Sequence, residues 1–231
     1  MDATSQHDIQ RLQELLQIPL SDELCELALT HRSFAYEHGG LPTNERLEFL
    51  GDSVLGQAVT VRLFADFPDL EEGELAKRRA AIVSTVSLAQ IARELGLGEY
   101  IRLGRGEAMS GGANKDSILA DTVEALIGAT YLGCGADAAT ELVLRLVGPA
   151  LGDSGRNAAI VDPKTTLQEF AARHGHPAPS YQLEASGPDH NRHYSATVAV
   201  ANVSGRGEGS SKKNAEMAAA RDAWVQLNEH A

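Results

Sequence analysis

Three carboxylates recur at i, i+3 and i+7 in the run Asn44-Glu45-Arg46-Leu47-Glu48-Phe49-Leu50-Gly51-Asp52-Ser53-Val54-Leu55. At about 100° per residue, Glu45, Glu48 and Asp52 fall within roughly 60° of one another on a helix. Leu47, Leu50 and Val54 lie about opposite, so one face is acidic and the other belongs to a core. Three acids on one stripe repel one another, and burial raises their pKa values unless a cation neutralises them. The pattern asks for a helix packed beside a divalent metal.

A second acidic pair stands far downstream, in Ser117-Ile118-Leu119-Ala120-Asp121-Thr122-Val123-Glu124-Ala125-Leu126-Ile127-Gly128-Ala129. Asp121 and Glu124 are i, i+3 neighbours on a helix surface. Ala125 and Gly128 flank them, while Val123, Leu126 and Ile127 form an apolar stripe. Small residues beside the acids let another backbone, the first acidic helix included, approach closely. Two such helices can build one all-oxygen site, which suits Mg2+ or Mn2+. Spacing alone leaves a merely solvated acidic face as the alternative.

The rest of the chain divides near residue 153. Before it the periodicity is helical over Asp8–Leu16, Asp22–Thr30, Asn44–Phe64, Glu72–Leu95, Asp116–Leu132 and Ala136–Val147, with Pro19, Pro42, Pro68 and several glycines between. Asp116 or Ser117 is expected to cap the second acidic helix. Gly152-Asp153-Ser154-Gly155-Arg156-Asn157 is small and polar and reads as a linker. After it come a helix (Thr165–His174), alternating strands near Ser180–Ser186, His193–Val200 and Val203–Glu208, and a closing helix, Lys212–Leu227. The expected fold is an all-α domain over 8–152, a linker over 153–160, and a small α+β domain of order α-β-β-β-α over 161–231.

The polar, acidic start Met1–Asp8 does not read as a signal peptide, and no apolar run approaches the roughly 20 residues needed to cross a bilayer. Cys25 and Cys134 belong to no CxxC pattern and read as reduced, partly buried thiols. A cytoplasmic protein with no membrane partner is the expectation.

The run Asn44 to Leu55 resembles the nine-residue signature of the ribonuclease III family, and Ser117 to Ala129 resembles that family's second acidic segment. Leu29-Thr30-His31-Arg32-Ser33 and Leu103-Gly104-Arg105-Gly106-Glu107 are similar to further stretches of it. The resemblance runs from about residue 8 to the end. The α-β-β-β-α pattern resembles a double-stranded-RNA-binding domain. Three parts carry that likeness: Gln168 and Glu169 on the exposed face of its first helix, the turn Gly187-Pro188-Asp189-His190, and Lys212 with Lys213 at a helix N-terminus. Amide and carboxylate groups can hydrogen-bond ribose 2′-hydroxyls across the minor groove, and a helix N-terminus favours phosphate.

The resemblance implies a homodimeric, double-stranded-RNA-specific endoribonuclease. It implies that Glu48, Asp52, Asp121 and Glu124 hold Mg2+ (with Mn2+ able to substitute) at the scissile phosphate, with Asp52 and Glu124 catalytic and Glu45 a supporting acid. It further implies products with 5′-phosphate and 3′-hydroxyl ends and two-nucleotide 3′ overhangs, and a role in processing rRNA precursors and structured mRNA. Phe49 matches the family's phenylalanine that inserts into a cavity on the partner; ordinary core packing is its other reading. Two alternatives are a duplex-RNA-binding regulator that no longer cleaves and a metal-dependent phosphoesterase for small molecules. The first is disfavoured because the acids are all present, the second by the C-terminal pattern.

Net charge, formally −12 with pI near 5.1, sits awkwardly with a polyanion partner. The distribution resolves this in part. Residues 1–159 hold 13 Lys+Arg against 24 Asp+Glu, whereas residues 160–231 hold 7 against 8. The deficit lies with the acidic site, and binding by the near-neutral remainder rests on a few well-placed cations and weakens with salt. Other signals read as structural. Gly104-Arg105-Gly106 and Gly111-Gly112 lack the Gly-Lys-Ser/Thr of a P-loop and are expected to form a mobile loop. Lys77-Arg78-Arg79 is either an RNA contact or a face balanced by Glu71, Glu72 and Glu74, and His31 and His38 are expected to cap or pack, with a general-base role as the alternative.

Overall fold

The structure, a computed structural model, describes residues 3–152, 163–187 and 192–229. The linker expected at 153–160 and the hairpin tip bearing His190 lie outside the described residues. The chain separates into two compact units, Met1–Asp153 and Ser154–Ala231.

The first unit is helical: α1 Ala3–Leu16, α2 Asp22–Ala28, α3 Arg32–Glu37, α4 Glu45–Asp66, α5 Glu72–Ile82, α6 Thr85–Glu94, α7 Arg105–Met109, α8 Asp116–Cys134 and α9 Ala136–Gly152. Helix α8 is the centre of the core. Buried residues run almost unbroken from Ile118 to Thr130, on all sides and not on the single stripe expected. Its buried hydroxyls, Thr122 and Thr130, each donate to a carbonyl one turn back, Ile118 O and Leu126 O, at 2.7 Å. Leu47, Val54, Leu55, Val59 and Leu63 of α4 pack into the same core. The two helices approach within backbone contact, as the small residues require. A Cβ on Gly51 would stand 1.8 Å from Glu124 O, and one on Gly128 2.2 Å from Leu47 O.

Three local expectations change. The single helix expected over Glu72–Leu95 is two, because Ser84 takes an extended conformation (φ −68, ψ 150) and its Oγ accepts the Ser87 N–H at 3.2 Å, starting α6 afresh. The glycine-rich stretch 104–112 is no open loop: it holds α7 and, at Gly112–Asn114, one 3-10 turn. The cap position of α8 is Lys115, with no side-chain cap bond. Asp116 instead forms an ion pair with Arg93, which also donates to Asn114 Oδ1 (2.7 Å) and Asn114 O (2.9 Å), so α6 holds the start of α8.

The short helix α3, which had no sequence signal, is placed by a patch of backbone pairing. His31 N–H donates to Arg102 O (3.2 Å), Arg102 N–H to Leu29 O (2.9 Å), and Asn44 N–H to Thr30 O (3.0 Å). Segments far apart in sequence thus meet at the start of α4.

The second unit comprises α10 (Pro163–Arg173), the antiparallel sheet β1 (Ser180–Ser186), β2 (His193–Val200) and β3 (Val203–Gly209) in order β1-β2-β3, and α11 (Lys212–Glu229). Alternate residues Ala196, Val198 and Val200 of β2 are buried against α11, as the period of two requires. Helix α11 lies directly on β3 because Gly205, Gly207 and Gly209 carry no side chain where Ala215, Ala219 and Ala223 press in; a Cβ on Gly207 would stand 2.2 Å from Ala219 N. Lys164, paired with Glu216 at 2.5 Å and over the Tyr181 ring at 4.8 Å, ties α10 to α11 and β1.

Candidate metal centre and nucleic-acid interface

The crossing of α4 and α8 sets carboxylates from both helices side by side. Oxygens of Glu48, Asp121 and Glu124 all lie within 4.8 Å of one another, and all three residues are half-buried. With Gly51 against Glu124 and Gly128 against Leu47, no side chain separates the helices at this level. Asp52, one turn beyond Glu48, is exposed and stands outside that trio, yet its charge acts on Glu124 more strongly than any other. Glu45 sits on the exposed rim, where it accepts from Thr43 Oγ1 at 2.9 Å and faces Arg32 at 3.8 Å.

The electrostatics record what this crowding costs. Burial, then the charges of Asp52, Asp121 and Glu48, push Glu124 up to about 7. Burial also raises Glu48, reinforced by Asp121 and Glu45, and it raises Asp121 against the pull of His31 and Arg32. Three acids that disfavour one another's ionisation and share an oxygen-only lining are a fit for a hard divalent cation.

A cleft of about 510 Å³ opens beside the trio, lined among others by His31, Arg32, Glu48, Glu107, Lys115 and Asp121. Lys115 Nζ donates to Glu107 Oε1 at 2.5 Å and to Ser110 Oγ at 3.0 Å, and holds the Glu107 carboxyl below the usual range. Sequence reasoning assigned no role here to Arg32, Glu107 or Lys115. The available signal for Arg32 and Glu107 was the pair of family-like stretches that hold them, which the Thr30–Arg102 bridge brings together; Lys115 lies in neither. His31 does cap, accepting the Ser33 N–H at 3.3 Å, and His38 stacks on Phe34 with ring centroids 3.8 Å apart.

Phe49 is not core: it is 78% exposed, on the same helix as Val61 (62%) and Phe64 (73%). Of the basic turn, Lys77 pairs with Glu74 at 3.5 Å, Arg78 lies over the Phe67 ring at 4.4 Å, and Arg79 donates to Thr60 Oγ1 at 3.1 Å. In the second unit Gln168 is exposed on α10, whereas Glu169 is half-buried and not fully on the solvent face. Lys212 and Lys213 are exposed in the first turn of α11, where Ser211 Oγ accepts the Asn214 N–H at 3.1 Å. Free backbone N–H groups there reinforce the lysine charges toward an anion.

Comparison with known proteins gives a consistent picture. Residues 21–151 match the Ribonuclease-III-like family, and residues 163–227 match the double-stranded RNA binding motif. The chain is 62% identical over 224 residues to Ribonuclease 3 of Leifsonia xyli subsp. xyli, covering 96% of this chain and 94% of that one. It is 55% identical over 218 residues to Ribonuclease 3 of Thermobifida fusca, covering 94% and 91%. Among solved structures, the nuclease domain of ribonuclease III from Campylobacter jejuni, described with flexibility in a region involved in dimer formation, aligns with TM-score 0.58 and 43% identity. That alignment covers 62% of this chain and 97% of the other.

Proposed function

The chain belongs to the ribonuclease III family and is an endoribonuclease specific for double-stranded RNA, and from that premise we propose how its residues divide the task. Glu48, Asp52, Asp121 and Glu124 hold Mg2+, with Mn2+ able to replace it, at the scissile phosphate. Asp52 and Glu124 are the catalytic pair and Glu45 assists from the rim. When bound, a divalent ion supplies Lewis acidity at the phosphate and lowers the pKa of the attacking water. The protein's own contribution is to hold the carboxylates close together and rigid, on two helices locked by backbone contact at Gly51 and Gly128. Products carry 5′-phosphate and 3′-hydroxyl ends.

The second unit supplies duplex recognition. Gln168 and Glu169 reach ribose 2′-hydroxyls, His190 enters the next minor groove, and Lys212 with Lys213 meets phosphate at the start of α11. Cutting both strands to leave two-nucleotide 3′ overhangs takes two sites, supplied by a two-fold homodimer. In it, exposed Phe49 of one copy seats in the apolar cleft of about 440 Å³ lined by Leu63, Phe64, Leu70 and Leu75 of the other. No helix among the described residues is long and apolar enough to cross a membrane. A cytoplasmic setting, with rRNA precursors and structured mRNA as substrates, belongs to the same proposal.

The observation that carries this reading is the convergence of Glu48, Asp121 and Glu124 at the α4–α8 crossing, in a chain that also holds a double-stranded RNA binding motif. The test is cleavage of an end-labelled RNA duplex of about 30 base pairs, long enough for the roughly 16 that one such motif spans. Wild type and Glu124→Gln are compared with Mg2+ or Ca2+. Wild type is expected to cut with Mg2+, while the variant binds in a gel shift and does not cut. Binding without cutting by both proteins would replace the proposal with the non-cleaving regulator.

A further inference from the structure

His31 has two ring nitrogens, and capping α3 uses one. Its Nδ1 accepts the Ser33 N–H at 3.3 Å, and Ser33 Oγ lies 2.8 Å from the same nitrogen. That Oγ also accepts the Gly104 N–H at 2.9 Å and keeps its hydroxyl hydrogen free to turn toward Nδ1. The Ser33 N–H directed at Nδ1 favours the tautomer in which that nitrogen carries no proton. A neutral imidazole so held carries its hydrogen on Nε2. Burial keeps this ring below the ordinary histidine pKa, although Glu107, Asp121 and Glu45 pull upward, so the neutral form prevails at pH 7.

The same ring lines the acidic cleft with Glu48 and Asp121, and Nε2 has no hydrogen-bond partner among the described residues. A cap needs only a short side-chain acceptor, which asparagine or serine provides. Histidine at this place adds a second polar atom, turned away from the cap, in a cleft where RNA must meet carboxylates. We infer that His31 is a substrate-binding residue, whose Nε2–H donates to a non-bridging phosphate oxygen of the RNA strand in the cleft. A phosphate there meets the carboxylates of Glu48, Glu107 and Asp121 beside the cations Arg32 and Lys115, which face Glu45 and Glu107 in turn. A neutral donor gives it a hydrogen bond without a further positive charge to compete for those carboxylates. Ser33 and the Gly104 amide are the positioning groups that fix the tautomer. The inference rests on the cleft being the cleavage site.

Two substitutions separate the donor from the cap. His31→Asn keeps an acceptor where Nδ1 stands and lacks the distal nitrogen. His31→Gln places an amide N–H about where Nε2 stands and loses the cap. Thermal melts, gel shifts in Ca2+ and single-turnover cleavage in Mg2+ are read together, with Glu124→Gln in parallel. His31→Asn is expected to melt like wild type and to cut about tenfold or more slowly, the scale of one hydrogen bond to a charged group. His31→Gln is expected to melt lower yet to cut faster than His31→Asn at a temperature where both are folded. Wild-type cutting by His31→Asn, or losses in both variants that track only their melts, would reduce His31 to a cap and overturn the inference. Wild-type cutting by Glu124→Gln would instead overturn the reading of the cleft on which it rests.

Discussion

Replacing Gly51 by alanine sets two opposed effects against each other at the crossing of α4 and α8. Alanine is the better helix former by about 1 kcal/mol in a helix interior. Against this, the new Cβ would stand 1.8 Å from Glu124 O and 2.5 Å from its carbonyl carbon, where 3.4 Å is ordinary contact. Both partners are helix backbone, so neither can rotate away, and α4 and α8 must part locally by about 1.6 Å. Overpacking costs typically about 1–3 kcal/mol, and a clash of Cβ with backbone that parts two helices belongs at the upper end of that range. The clash therefore wins, by about 2 kcal/mol, and lowers the melting temperature by about 2–4 °C per kcal/mol. Activity should fall further than stability. The residue displaced is Glu124 itself, whose oxygens lie within 4.8 Å of those of Glu48 and Asp121, and a 1 Å misplacement can cost about 100-fold in rate. Gly73→Ala is the control: it lies on the exposed side of α5, an added Cβ there meets nothing within 4 Å, and the melt should hold or rise. Circular dichroism melts of the full chain and cleavage of labelled duplex RNA decide the matter. A Gly51→Ala protein that melts at or above wild type and cuts at the same rate would refute the close-contact argument.

Phe49→Ala should weaken dimerisation: burying a phenylalanine contributes about 1.5–3 kcal/mol, and two-fold symmetry counts it twice, so the dissociation constant rises by about a hundredfold or more. Sedimentation velocity at low micromolar concentration reads this, and an unchanged profile rejects the interface role. Glu124 titrates near 7 when folded against an ordinary 4.5, so the folded chain binds the extra proton. Its contribution to stability is full below about pH 4.5 and is lost as pH rises through about 7. Melts in the absence of divalent ions should fall over this window, and Glu124→Gln should flatten the fall; parallel curves would show that Glu124 does not carry it. Lys212→Ala with Lys213→Ala should weaken duplex binding for all sequences and reduce the slope of log affinity against log salt by about one per lost phosphate contact. An unchanged slope would place those lysines off the RNA.

Helices α4 and α8, and the acids on them, were legible because the i, i+3, i+4 spacing that sets a helix face is a local property of the chain. The strand run of the second unit was legible for the same reason, through alternation with period two. Helix α3 escaped because six residues carry too little periodicity, and α7 because glycine-rich composition reads as loop. The break between α5 and α6 rests on one serine whose hydroxyl replaces a backbone partner, and the apolar pattern runs across it unbroken. Spacing also placed Asp52 on the acidic stripe without telling depth. Only the crossing shows Glu48, Asp121 and Glu124 together and Asp52 outside their cluster. What the sequence by itself determined is which residues are acids on helices; duplex RNA as the partner followed from the family resemblance of its motifs. The tertiary structure alone decided that Gly51 and Gly128 bring two backbones into contact, and that His31, Glu107 and Lys115 share one cleft with the acids. The reason is physical: local periodicity follows from backbone geometry within a few residues, whereas a cleft is made by long-range packing that no single segment encodes.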